Sequence, residues 1–249
     1  MKKLWPLIVL GVFAYASFAL YTLPASVLFT RLEPYGVQAA GIEGTAWRGT
    51  AQVVQAAGTN LGRLEWDLHV LKLFTARLAA DVKLTRADGF AQSTMAMGTG
   101  GQLAFDDLTA SLPLSAIPPS VMRLGWTGTV NLKFARLALE NGWPAEAAGT
   151  LEAVDLINPR QRGASMGSYR VEFPAAGAPT SDALTGALTD LGGPLQVAGT
   201  LSLRPDRSYV IEAMVAARPD APAGLAKTLE ILGPPDAEGR RPFTTEGTF

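Results

Sequence analysis

Apolar and polar positions follow two different patterns along the chain. Residues 4–30 contain no Asp, Glu, Lys, Arg or His. Leu4, Trp5, Leu7, Ile8, Val9, Leu10, Val12, Phe13, Phe18, Leu20, Tyr21 and Leu23 give this run its apolar character. As a helix rising ~1.5 Å per residue, positions 4–23 reach ~30 Å, the hydrocarbon thickness of a bilayer. The run therefore predicts a membrane-spanning helix. Pro24 marks its outer end, and Trp5 and Tyr21 stand where interfacial aromatics occur. Lys2 and Lys3 precede the run, and Arg31 is the first charge after it. Positive charge stays inside, which puts the N-terminus in the cytoplasm and the bulk of the chain outside. The expected division is 1–30, a cytoplasmic stub and anchor, and 31–249, an exported domain. The triplets Ala14-Tyr15-Ala16 and Ser17-Phe18-Ala19 fit signal-peptide cleavage sites. An h-region, however, spans only ~7–15 residues; the longer run favours an uncleaved anchor.

Further along, the period becomes two. Leu64, Trp66, Leu68 and Val70 alternate with Arg63, Glu65, Asp67 and His69. Leu78, Ala80, Val82 and Leu84 alternate with Arg77, Ala79, Asp81 and Lys83. Tyr169, Val171 and Phe173 alternate with Ser168, Arg170 and Glu172. Such alternation predicts half-buried strands. Val197, Leu201 and Leu203 lead to a turn at Pro205-Asp206, and Tyr209, Ile211, Ala213 and Val215 line the return strand. The phase slips between Phe134 and Leu137, which predicts a β-bulge near Ala135-Arg136 and a curved sheet. Gly-Thr recurs at Gly44, Gly49, Gly58, Gly98, Gly128, Gly149, Gly199 and Gly247, several times opening a strand. Either it is a degenerate strand repeat, or turns favour Gly and strands favour Thr; the irregular spacing leaves both readings open. Helices are expected at 220–232, with Asp220 as N-cap and Gly233 as stop, and at 182–191, from Leu184, Leu188 and Leu191. Linker candidates are 158–163 and 175–179. The fold class is mainly β: a single transmembrane helix, then a curved antiparallel sheet, sandwich- or groove-like, with one or two short helices.

Composition narrows the function. Charged residues are 17% of the chain and the net charge is −1, so no basic surface for nucleic acid is implied. With no cysteine, disulfides, thiol catalysis and thiolate metal sites are excluded. His69 is the single histidine and falls on a polar strand face, where solvation is its ordinary role. A zinc site needs several ligands of this kind. There is neither a G-x-S-x-G elbow nor a P-loop, and the glycine-rich 98–101 segment reads as a hairpin loop. Asp106 and Asp107 are neighbours on a strand, so their carboxylates point to opposite faces. A glycosidase-type pair from distant segments would not be legible in sequence. The reading is non-catalytic, with no cofactor and no metal. Trp47, Trp66, Trp126 and Trp143 read as core residues.

Three patches resemble one family, type II secretion system protein N, also called general secretion pathway protein N. Gly44-Thr45-Ala46-Trp47-Arg48-Gly49 is similar to its G-x-x-W-x-G. Leu61-Gly62-Arg63-Leu64-Glu65-Trp66-Asp67-Leu68 carries its leucine–tryptophan alternation. Leu232-Gly233-Pro234-Pro235-Asp236-Ala237-Glu238-Gly239-Arg240-Arg241 is similar to its L-G-x-x-D-x-x-G-R. The resemblance covers nearly the whole length. It implies a single-pass inner-membrane subunit with a periplasmic domain, assisting export of folded proteins across the outer membrane. Its implied partners are other inner-membrane platform subunits and the outer-membrane secretin. It carries over no catalytic residue. Gly44, Trp47, Gly49, Leu64, Trp66, Leu68, Gly233, Asp236, Gly239 and Arg240 are expected to be structural, Gly44 and Gly49 as turn residues. The alternative reading is an inner-membrane-anchored lipid-binding or lipid-transfer protein with a curved β groove.

Overall fold

The uncharged run divides at Leu23-Pro24. Before it, helix α1 spans Trp5–Tyr21; after it, a second helix, α2, spans Ala25–Leu32. The computed structural model describes residues 5–56, 58–70, 78–98, 100–117, 125–158, 164–174 and 183–248. Leu4, Arg77, Thr99, residues 159–163 of one linker candidate and the whole of the other (175–179) lie outside them. Two compact units emerge, 1–87 and 88–249. Within each unit the strands pair antiparallel with their neighbours in chain order. Among the described residues there is no second sheet.

In the first unit, β1 (Val37–Gly44), β2 (Arg48–Ala56), β3 (Thr59–Leu68) and β4 (Leu78–Arg86) pair as a meander. Helix α2 supplies the layer that covers it. Ala25 and Phe29, four residues apart and so on one face, are buried with Ala51, Val54 and Trp66. The Phe29 and Trp66 rings meet edge-on, with centroids 5.4 Å apart and planes at 64°. Such a pair adds about 0.5–1.5 kcal/mol beyond simple burial. β3 stops at Leu68, and Val70 beyond it is exposed. At the start of β4, Ala79 rather than Leu78 is buried, where the His69 backbone N–H bonds the Ala79 carbonyl at 2.8 Å.

In the second unit the meander continues as β5 (Gly89–Met97), β6 (Leu103–Pro113), β7 (Thr127–Glu140), β8 (Trp143–Asn158), β9 (Ala164–Phe173), β10 (Leu184–Gly192), β11 (Leu195–Leu203), β12 (Ser208–Ala217) and β13 (Arg241–Thr248). The bulge predicted at Ala135-Arg136 is present: register shifts against β8 between Phe134 and Arg136. A companion bulge lies in β6, where Asp107 takes φ 53° and the pairing with β5 shifts. The predicted turn at Pro205-Asp206 also forms. Asp206 accepts hydrogen bonds from the backbone N–H (2.9 Å) and hydroxyl (2.6 Å) of Ser208.

Two helix expectations need correction. The helix expected at 182–191 does not form over 183–191, where β10 occupies Leu184–Gly192; Asp182 lies outside the described residues. Leu184 and Leu188 are four apart, a spacing shared by a helix turn and by one face of a strand. Leu191, the residue that required a helical period, is exposed. The helix expected over 220–232 is shorter: α3 spans Ala223–Leu229 and continues as a 3₁₀ turn, Glu230–Leu232. Its N-cap is Pro222, not Asp220, and Gly233 follows with φ 101°. Leu229 and Leu232 pack on Val197, Ala213 and Val215.

Candidate functional site

The family-like hexapeptide Gly44–Gly49 is the β1–β2 hairpin, with Gly44 paired to Gly49 across it. Its tip grips the end of α1. The backbone N–H of Ala46 donates to the Leu23 carbonyl at 2.8 Å, and the indole N–H of Trp47 donates to the Leu20 carbonyl at 2.8 Å. Pro24 and Thr45 form an isolated β-bridge beside them. A helix ends with carbonyls that lack intrahelical donors; here the Trp47 indole supplies one at Leu20, and Ala46 holds the Leu23 carbonyl just past the helix end. The remaining groups of the tip turn inward. The Trp47 carbonyl accepts from the Leu68 N–H at 2.6 Å, and the Ala46 carbonyl accepts from the Trp66 indole at 3.3 Å. Trp66 is a buried core residue, whereas Trp47, Trp126 and Trp143 are half-buried. Leu64 and Leu68 pack as half-buried neighbours of the Trp66 cluster.

Helix α1 itself packs against none of this. Its described side chains are exposed, from Trp5 (70% exposed) to Tyr21 (77%), with Ile8, Val9, Leu10, Val12, Phe13, Phe18 and Leu20 between them. No buried cluster among the described residues includes a residue of α1. Leu23, past its end, is half-buried. Among the described residues no helix is long and apolar enough to cross a membrane. The 17 residues of α1 reach about 26 Å, against a hydrocarbon core of ~30 Å.

The C-terminal patch is a self-contained loop ahead of β13. One Asp236 carboxylate oxygen accepts the backbone N–H groups of Glu238 (2.9 Å) and Arg240 (2.8 Å); the other accepts Arg240 Nε at 3.0 Å. The loop closes through Asp236 N–H to the Arg240 carbonyl at 2.7 Å, and Gly239 makes the turn with φ 78°. The Arg240 N–H and guanidinium, with the Glu238 N–H, hold the Asp236 carboxyl below its ordinary value. Arg241 reaches back to the Gly233 carbonyl.

Elsewhere the titratable groups serve the sheet. Arg136 bridges Glu146 (3.0 Å) and Asp106 (3.2 Å), and its pKa is raised mainly by the hydrogen bond to Glu146. Asp107, on the bulge, does not join that pair. His69 Nε2 lies 2.9 Å from Asp81 Oδ2. Asp190, 10% exposed, bonds Arg218 and accepts the N–H groups of Gly192 and Val197. Burial, then the Asp190 charge, raises the neighbouring Tyr169 phenol. Among the described residues no group of three or more His, Asp or Glu side chains is placed to hold a metal ion.

The second unit offers an apolar face. Phe134, Ala147, Val171 and Phe173 are its buried centre; Leu108, Leu132, Leu151, Leu184 and Leu201 surround them, only half-buried. Phe134 and Phe173 sit two strands apart, each paired with Gly149 of the strand between. Their ring centroids are 6.1 Å apart. What periodicity could not reveal is α2. Its only signal was Ala25 and Phe29, four apart after Pro24, inside a run that already reads as anchor.

Comparison with known proteins follows the same lines. The family model described as "Type II secretion system (T2SS), protein N" matches residues 35–244. Type II secretion system protein N of Vibrio cholerae serotype O1 is 31% identical over 240 residues, covering 90% of each chain. Type II secretion system protein N of Aeromonas hydrophila is 29% identical over 257 residues, covering 99% of each. No solved structure matches.

Proposed function

This chain belongs to the type II secretion system protein N family, and we propose that within that machinery it acts as a non-catalytic inner-membrane subunit. In this reading α1 is the membrane anchor, the N-terminus is cytoplasmic and the sheet is periplasmic. The observation that carries it is the isolation of α1. Its described apolar side chains are exposed, and no core cluster among the described residues uses them. In water, such a surface opposes the hydrophobic effect; in a bilayer it is the solvent-matched surface. The apolar run also extends beyond α1 on the N-terminal side, to Leu4. The sheet then presents long backbone-paired strands and exposed ion pairs, a surface suited to contacting other subunits. The partners are other inner-membrane platform subunits and the outer-membrane secretin. Photo-crosslinking in membranes of a secreting strain tests this role. Recovery of other secretion components is expected; their absence from every crosslinked species counts against it.

A second reading has its own observation. The apolar face around Phe134 and Phe173 has half-exposed leucines and no second sheet over it among the described residues. Such a face suits an acyl chain, which makes an anchored lipid-handling subunit the alternative. Mass spectrometry of the purified protein tests it: co-purified lipid is expected, and lipid-free protein weakens it.

A further inference from the structure

We propose that α2 and the tip of the β1–β2 hairpin form a collar that contacts the bilayer surface, with Val27, Leu28 and Trp47 at the headgroup–acyl boundary. This rests on the reading of α1 as the anchor. The Trp47 indole is fixed to the Leu20 carbonyl at 2.8 Å, in the last turn of α1. Leu20 lies only ~1.5 Å along the axis from Tyr21, where the helix ends. A ring tied there sits at the depth at which a spanning α1 leaves the bilayer. An indole, apolar with one N–H, suits that layer. On the other side, the bond from Ala46 to Leu23 and the bridge from Thr45 to Pro24 hold the tip against the junction. The hairpin therefore cannot swing clear of the exit point without breaking these bonds.

Helix α2 begins immediately after this junction. Ala25 and Phe29 face the sheet and are buried. Val27 (45% exposed) and Leu28 (38%) do not. Arg31 is four residues beyond Val27 and shares its side of the helix. The outward side thus carries two apolar residues beside one cation, next to the helix exit. Arg48, at the base of the hairpin, has a side chain that is 80% exposed and pairs with Asp67 at 3.0 Å. So exposed a pair contributes little, and the guanidinium is available to lipid phosphate. Apolar residues with adjacent cations are the composition of an interfacial surface. The occupant is the bilayer itself, named by the chain's own continuity with α1.

The chain has no cysteine, so single introduced cysteines report without background. Full chains carrying Val27→Cys, Leu28→Cys or, as the aqueous reference, Lys83→Cys would be spin-labelled. They would then be placed in nanodiscs of phosphatidylethanolamine and phosphatidylglycerol. Lys83 is exposed on β4. The collar predicts that labels at 27 and 28 collide with oxygen in preference to a water-soluble nickel chelate, several-fold more than the label at 83. Equal ratios at all three positions overturn the collar while leaving the anchor standing. Labels at 27 and 28 shielded from both reagents mean that protein, not lipid, covers them, and overturn it too. A chain that does not enter nanodiscs at all overturns the anchor and the collar together.

Discussion

The indole of Trp66 packs on Gly49, its partner across β2 and β3: a Cβ built on Gly49 would fall 2.5 Å from the ring's Cζ2 and 2.5 Å from the Glu43 carbonyl oxygen. Gly49 is thus the seat of a core ring. The same relationship recurs where Phe173 lies over Gly186 and Tyr209 over Gly247, with ring atoms 2.8–3.0 Å from the missing Cβ. Aromatic cover of a cross-strand glycine fills the gap that glycine leaves in a sheet.

Gly49→Ala should therefore destabilise the first unit by about 1–3 kcal/mol, the cost of overpacking a filled site. Urea unfolding followed by tryptophan fluorescence measures it. Gly11→Ala, where a Cβ meets nothing within 4 Å, should leave that transition unmoved. Equal midpoints for Gly49→Ala and the parent chain would contradict the seat.

Phe29→Ala removes the ring that joins α2 to Trp66. The expected cost is about 3–5 kcal/mol, with amide exchange accelerated across α2 (Ala25–Leu32). Unchanged protection of those amides would show that α2 is held by something other than this contact.

These contacts show how much the sequence disclosed. Alternation at Leu64, Trp66 and Leu68 located β3 and its buried face because period two is a local signal. The slip at Ala135 located a bulge for the same reason. Leu184 and Leu188 misled, because a spacing of four belongs to both periods. The Gly-Thr recurrence was visible, but its meaning depends on register: only pairing sets Trp66 opposite Gly49, or Phe134 and Phe173 on either side of Gly149. Trp47 reads from sequence as a core residue, and the structure leaves it half-buried. That its indole serves the Leu20 carbonyl, 27 positions earlier, is a long-range fact that no local pattern encodes.

Trp47→Phe keeps a ring and deletes the donor. The Leu20 carbonyl then keeps only the Leu23 N–H, and the cost should be about 0.5–1.5 kcal/mol. The readout is faster exchange of the Thr22 and Leu23 amides, with the β1–β2 amides unaffected. Slow exchange at Thr22 and Leu23 would mean the clamp does not hold the helix end.

The Asp236 loop predicts an acid transition. Its carboxyl has a pKa below the ordinary 3.8, first because of the Arg240 backbone N–H. A depressed carboxylate contributes stability that is full above the unfolded value and is lost as pH falls through the folded one. The loop 233–240 should stay ordered at pH 5 and lose order only below the ordinary carboxylate range, as NMR of the Asp236 carboxyl and the Arg240 amide will report. Asp236→Asn should remove that pH dependence. A carboxyl titrating at or above 3.8 would contradict the hydrogen-bonded loop.

The central claim is that α1 remains on the chain and holds it in the inner membrane. The most direct measurement is the intact mass of the protein recovered from carbonate-washed inner membranes. The account predicts that it stays in the pellet with a mass that includes residues 1–23. Release by carbonate, or a mass beginning after Ala16 or Ala19, would contradict it.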